Sequence, residues 1–201
     1  MENRSRLARC TAGGRTVRKR QSLRIGVIAD THGLYDPAVE RHFSGLDEIL
    51  HAGDIGDPQV IRRLRQLAPV MAVSGNVDGF ETSGYASRQV IRRGGVTIGL
   101  CHILYEKGKM ANEVQAWLDR EQPDVCVFGH SHKPTLDRYG RMVLFNPGSA
   151  GPKRFTLPRG IGILTIRRGK VTPKLISLPD RIDAGDRLEP SVVRRTKGAL
   201  R

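Results

Sequence analysis

The sequence predicts an α/β fold organised on a parallel sheet, and three observations point there. Three apolar runs, residues 23–30, 46–54 and 70–76, have the length and the polar boundaries of buried strands. The first two are each followed by an Asp-Pro pair, Asp36–Pro37 and Asp57–Pro58, that opens a helical pattern. Aspartate can cap the free amides of a first turn, and proline fits the first helical position because the N–H it lacks has no intrahelical partner there. The second half then changes to alternating apolar and polar residues with glycine turns, which is the pattern of hairpins.

Taken in order, LRIGVIAD (Leu23–Asp30) is a strand ending in a carboxylate, and DPAVERHFSG is a short helix. LDEILHAGD carries a second strand ending near Ala52, DPQVIRRLRQLAP a helix that stops before Pro69, and VMAVSGN a third strand. These three β-then-α units suggest the parallel core. RQVIRRGGVTIGLCH reads as a hairpin turning at Gly94–Gly95. KMANEVQAWLDREQ reads as a helix with Met110, Val114, Trp117 and Leu118 on one face. VCVFG is a further strand, and TLDRYGRMVLFN and GIGILTIRRGKVTPKLISL are hairpins. One domain is expected over residues 23–179, between a basic, disordered arm at 1–22 and a charged tail at 180–201, with no internal repeat.

The 201 residues are enough for a single sizeable core. Mean hydropathy is −0.37, and no run reaches the roughly 18 apolar residues of a membrane span. No secretory signal is expected, because the basic N-terminus lacks an apolar segment. The net charge of +14 is uneven. The arm holds seven Arg or Lys and one Glu. Such an arm is compatible with nucleic acid, but nucleic acid is not the favoured partner. Of three cysteines, Cys101 and Cys126 fall in apolar strands as buried free thiols, and Cys10 lies in the arm. An odd count without a framework argues for a reducing compartment, the cytoplasm.

The chemistry gathers at strand ends. The first strand ends in Asp30-x-His32, the second in Asp54, and the third in Asn76 and Asp78; the hairpin ends in His102, and the last core strand in His130 and His132. In an open α/β sheet, residues at the carboxyl ends of strands converge on one edge. Imidazole and carboxylate donors in this number suit two divalent metals. Asp54, after a tight Gly-Asp turn, is the candidate bridge. Asp30, His32 and His132 would complete one metal, and Asn76, His102 and His130 the other. Oxygen and nitrogen ligands without thiolate favour Mn first, with Fe, Zn or Ni also compatible. In an extended chain Ser131 would point away from its neighbours, so His130 and His132 would face one side and serve adjacent metals. Two ions about 3.5–4 Å apart activate a hydroxide and clamp an in-line displacement at phosphorus. Asp54, Asn76, Asp78 and His130 are the catalytic candidates. Of the remaining histidines, His42 reads as a solvated helix residue, and His51 as a strand residue that can support the ligands behind it.

DTHG, GDIGD, GNVDG, GHSH and NPGS (Asn146–Ser149) resemble, in this order, the blocks of the calcineurin-like metallophosphoesterases. The short spacing is most similar to the small cap-less YfcE-type phosphodiesterases of bacteria and archaea. The resemblance covers Leu23 to Leu178. It implies a four-layer αββα sandwich of two mixed β-sheets flanked by helices. It also implies a dinuclear centre on the seven ligands above, hydrolysis of phosphodiesters in a phosphorylated small molecule, and the NPGS loop near the site. Two positions depart from the pattern. Ile103 stands where many relatives have glycine after the histidine, and Val77 stands where protein phosphatases carry a leaving-group histidine, which leaves Asp78 to orient a ligand or a water. The same fold also serves as a non-catalytic scaffold subunit of the retromer coat, so a protein-interaction module is the alternative. Homo-oligomer formation is left open. Lys107, Lys109, Lys133, Lys153 and Arg154 follow motif blocks and are mostly expected to be solvated surface.

Overall fold

The computed structural model describes residues 22–79, 84–154 and 156–180. The predicted arm with Cys10, and the tail beyond Asp180, lie outside the described residues. The elements are β1 (Leu23–Ile28), α1 (Ala38–Phe43), β2 (Glu48–His51), α2 (Pro58–Arg65), β3 (Val70–Ala72), β4 (Arg88–Arg93), β5 (Val96–Cys101), β6 (Tyr105–Glu106), β7 (Lys109–Met110), α3 (Asn112–Glu121), β8 (Val125–Val127), β9 (Thr135–Tyr139), β10 (Met142–Asn146), β11 (Gly160–Arg167) and β12 (Lys170–Ser177).

Two five-stranded mixed sheets result. The first has the order β12-β11-β1-β2-β3. Its β1, β2 and β3 run parallel, and β11 and β12 join as an antiparallel hairpin. The second has the order β4-β5-β8-β10-β9, with β5, β8 and β10 parallel and the edge strands antiparallel. Alternation along each strand sorts side chains into three cores. Ile25, Val27, Leu50 and Leu164 meet Ile98, Leu100, Val127 and Phe145 between the sheets. Ile28, Ile49 and Ile161 pack on Val39, Phe43, Val60 and Leu64 of α1 and α2. Cys101, Cys126 and Leu144 pack under Val114, Trp117 and Leu118 of α3. The layering is therefore αββα. Strands covered on both faces need apolar residues on both, which is why the central ones read as near-continuous apolar runs.

The helix starts follow their local chemistry. Asp57 Oδ1 accepts from Gln59 N at 2.7 Å, ahead of Pro58, and Asp36 Oδ1 accepts from Ala38 N at 2.8 Å. The Gly94–Gly95 turn has φ of +56° and +80°, both left-handed, as a two-residue hairpin turn demands. Two expectations change. Among the described residues no helix follows β3; its chain enters the loop of Asn76 and Asp78 instead. Nor does Lys109–Met110 begin the third helix. The left-handed pair Lys107–Gly108 turns the chain back, so these residues pair with Tyr105–Glu106, and α3 starts at Asn112. Cys101 and Cys126 are buried and free, with sulfurs 4.0 Å apart. Among the described residues, no helix is long and apolar enough to cross a membrane.

Candidate metal centre

The loops after β1, β2 and β3 meet those after β5 and β8 at one edge of the sandwich. Two groups of three side chains converge there, Asp30 with His32 and His132, and Asp54 with His102 and His130. Within each group the donor atoms lie within 4.8 Å of one another. In the first, His32 Nε2 is 3.2 Å from His132 Nε2, which is 3.4 Å from Asp30 Oδ1. In the second, His102 Nε2 is 3.2 Å from Asp54 Oδ1. Asn76 joins this second group, its Oδ1 lying 3.1 Å from His102 Nε2 and 2.9 Å from His130 Nδ1. Asp54 reaches both groups, because its Oδ2 lies 3.8 Å from His32 Nε2. All seven predicted ligand positions are thus brought together, with Asp54 in the middle.

The backbone does this in a way the strand argument did not foresee. β8 ends at Val127, and His130 and His132 are not on an extended strand: their φ values are +68° and +55°. Asp30, His32 and Asp54 are also left-handed, at +54°, +47° and +53°. For residues with a Cβ this region costs about 1–2 kcal/mol each, and such strain clusters at functional sites. His130 and His132 do serve different groups, as expected, but through a left-handed turn that aims each ring separately. Asn146 Nδ2 holds that turn by donating to Gly129 O at 2.8 Å and to Ser131 Oγ at 3.1 Å.

Tautomers and charge decide what the site can hold. His102 Nδ1 lies 2.7 Å from the Ala52 carbonyl, an acceptor, so Nδ1 carries a proton and donates it. In the neutral ring, Nε2 is then a bare lone pair that faces the oxygens of Asp54 and Asn76. Three acceptors facing one another, with no donor among the three, fit a cation. Asp30 Oδ2 and His132 Nδ1 are buried with no hydrogen-bond partner. Burial raises the Asp30 pKa to about 7 and lowers that of His132 to about 4; it also lowers His32 and His130. Burial opposes ionisation of Asp54 too, but the His102 ring beside it prevails and holds Asp54 at about 2. On His102, burial is likewise outweighed by Asp54, and its pKa is raised.

The surroundings fix these groups. Asp78 Oδ1 accepts from the amides of Ile55 and Gly56, at 2.7 and 3.0 Å, and Oδ2 from Gly75 N at 2.6 Å. It thereby ties the Asp54 loop to the Asn76 loop. A Cβ on Gly75 would collide with Asp54, so the two loops can touch only at a glycine. Val77 is 49% exposed, and its amide donates to Asp54 Oδ1 at 3.1 Å. Thr31 Oγ1 donates to Ile55 O at 2.9 Å and so accepts from His51 Nε2 at 3.0 Å. His51 is fully buried there, and burial lowers its pKa to about 3. In the NPGS block, Ser149 Oγ donates to Asp30 O at 2.9 Å. Arg154 is exposed, as read from the sequence, and has a guanidinium nitrogen 3.4 Å from His32 Nε2. Lys107, Lys109 and Lys133 are exposed, and Lys153 pairs with Asp180 at 2.5 Å. The supporting contacts of Ala52 O and Asn146 escaped sequence reading, because a backbone acceptor leaves no residue signature and Asn146 acts across 15 residues or more.

Known proteins resemble this chain in sequence and fold. A protein of Methanocaldococcus jannaschii named as a probable metallophosphoesterase is 34% identical over 165 residues, covering 78% of this chain and 82% of its own. The solved structure of the E. coli phosphoesterase YfcE is 26% identical with a TM-score of 0.54, covering 71% of this chain and 88% of that one. Vacuolar protein sorting 29 from Cryptosporidium parvum shares the fold alone, with a TM-score of 0.64 at 19% identity over 78% of this chain and 98% of that one. Residues 23–169 match the calcineurin-like phosphoesterase superfamily domain, and with two candidate metal-binding groups at its strand ends the chain belongs to that superfamily.

Proposed function

We propose that this chain is a two-metal phosphodiesterase. Water adds at phosphorus, one P–O ester bond breaks, and the products are a phosphomonoester and an alcohol. The observation that carries this reading is the meeting of His102 Nε2, Asp54 Oδ1 and Asn76 Oδ1, none of which donates to another when His102 is neutral, next to a second group that Asp54 also reaches. Asp30, His32, His132 and Asp54 would hold one divalent ion, and Asp54, Asn76, His102 and His130 the other; the mixed donors suit manganese among several metals. Such ions, when bound, supply a water-derived nucleophile at neutral pH and screen charge on the phosphoryl oxygens.

The chain's own residues prepare that site. His102 is locked in the tautomer that leaves Nε2 bare, and a second-sphere acceptor of this kind strengthens a ligand. His32, His130 and His132 are held neutral by burial, so no proton has to leave them near pH 7. Arg154 places a positive charge beside the first group, where a phosphoryl oxygen can meet it. The scaffold reading draws on no feature of the site, whose seven ligand positions all carry competent side chains. The test is metal analysis of the purified chain combined with turnover of bis(p-nitrophenyl) phosphate, with and without Mn²⁺. The expected result is metal-dependent turnover that is lost on chelation. A fully metal-loaded protein that turns over no diester would overturn the reading.

A further inference from the structure

Beside the second group lies a cleft of about 620 Å³ to which the metal centre lends only a wall. Asn76 and His102 are in its lining, so the cleft is continuous with the place where phosphorus would sit. This volume falls in the range of small-molecule sites, roughly 300–1,000 Å³. Its lining joins apolar side chains, Ile103 and Val114 among them, to the uncharged polar Ser74, Ser87 and Asn112. Ile103, which replaces the glycine of many relatives, gives the cleft apolar surface directly next to a ligand histidine.

The charges in the cleft select against a second anion. Arg88 is already engaged: its guanidinium donates to Glu113 O at 3.0 Å and lies 3.6 Å from the Glu113 carboxylate. Glu106 adds another carboxylate to the lining. On the opposite group, Arg154 stands beside His32 with no carboxylate partner among the described residues. We infer that the cleft binds the organic substituent of the diester, a neutral group of nucleoside size that hydrogen-bonds at one side and packs on Ile103, while the phosphoryl oxygens turn toward Arg154. This inference rests on the phosphodiesterase reading and deepens it to a substrate class: diesters with one uncharged, compact body, as opposed to diesters carrying a further phosphate there.

The test compares two diesters with the same leaving group on the Mn²⁺-loaded chain: thymidine 5′-(p-nitrophenyl) phosphate, which has the body, and methyl p-nitrophenyl phosphate, which lacks it. The wild-type chain should favour the nucleoside diester by at least about tenfold in kcat/KM, the discrimination a hydrophobic pocket gives. Ser87→Trp and Asn112→Trp each fill the cleft, from separate segments, and should collapse that ratio toward one. A 3′-phosphate on the thymidine should lower its kcat/KM. Binding of thymidine 5′-monophosphate, followed by calorimetry, should weaken in both variants, which tests the cleft without turnover. If one variant fails to fold, the other decides. A wild-type ratio near one, or a ratio and a nucleotide affinity unmoved by the folded variants, overturns the cleft assignment while the phosphodiesterase reading stands. If neither diester turns over but the nucleotide still binds and the variants weaken it, the activity reading fails and the cleft stands.

Discussion

Asp54 is the residue on which the centre turns, because its two oxygens face different ligand groups and its backbone is held left-handed to let them. On the two-metal reading, replacing it by alanine would remove a ligand shared by both ions and leave their charges unscreened from each other. Asp54→Ala is expected to lose both metals and all measurable turnover, and metal analysis showing two tightly held ions would refute the bridging role. Val77 marks the opposite case, a position where chemistry is missing. A positioned acid contributes about 10²–10⁴-fold to expulsion of an alkoxide, and an exposed valine has no proton to give. Aryl diesters, whose leaving groups need no acid, should therefore react far faster than alkyl diesters. Val77→His should narrow that gap by raising kcat/KM for the alkyl substrate; equal wild-type rates on the two would show that another group serves as acid. That the seven candidate ligand side chains would meet was legible in the sequence because each lies at the end of an apolar run. Their left-handed backbone was not, since aspartate and histidine enter that region more readily than most residues but still only in a minority of cases, and the contacts that select it are not local.

At the level of elements, local chemistry carried most of the fold. Asp57–Pro58 and Gly94–Gly95 each contain the whole signal for the helix start or turn they make. The missing helix after β3 and the small β6–β7 hairpin were harder to read, because the apolar periodicity around them does not distinguish a loop from an element. Asp78 was the most deceptive of these cases: near the ligands in sequence, it spends its carboxylate on the amides of Ile55, Gly56 and Gly75, of which the first two lie more than 20 residues away. It joins the loop after β2 to the loop after β3. Asp78→Ala should leave the amide of buried Ile55 without its partner and release those of Gly56 and Gly75, with a loss of about 1–3 kcal/mol in urea unfolding. Metal affinity should drop about 10–100-fold, as it does when a supporting partner is removed. Wild-type metal affinity in that variant would show that the loops hold their positions without it.

Across the whole molecule, the candidate ligands come from both sheets. Asp30, His32, Asp54 and Asn76 follow strands of the first, and His102, His130 and His132 follow strands of the second. Metal uptake should depend on pH through the groups that must give up a proton. Asp30, raised by burial to about 7, still holds its proton in part near neutrality, whereas burial lowers His32, His130 and His132. Affinity should thus fall as pH drops from 8 to 6, with proton release measurable by calorimetry in two buffers, and a flat profile from 8 to 5 would exclude these ligands. An ion bound only by the folded chain at about 100 times its Kd adds about 2.7 kcal/mol. For a chain of this length that is a rise in Tm of about 5–11 °C, and an unchanged Tm on adding Mn²⁺ would contradict binding at this edge. Each ion would also act as a clasp between the part of the chain laid down first and the part that arrives later, since residues 23–72 build the parallel strands of one sheet and residues 88–146 build the other. Scarcity of metal in the cell would then be felt twice: as a slower reaction, and as a smaller standing stock of the protein, because chains left unclasped would open more often and be cleared by proteases.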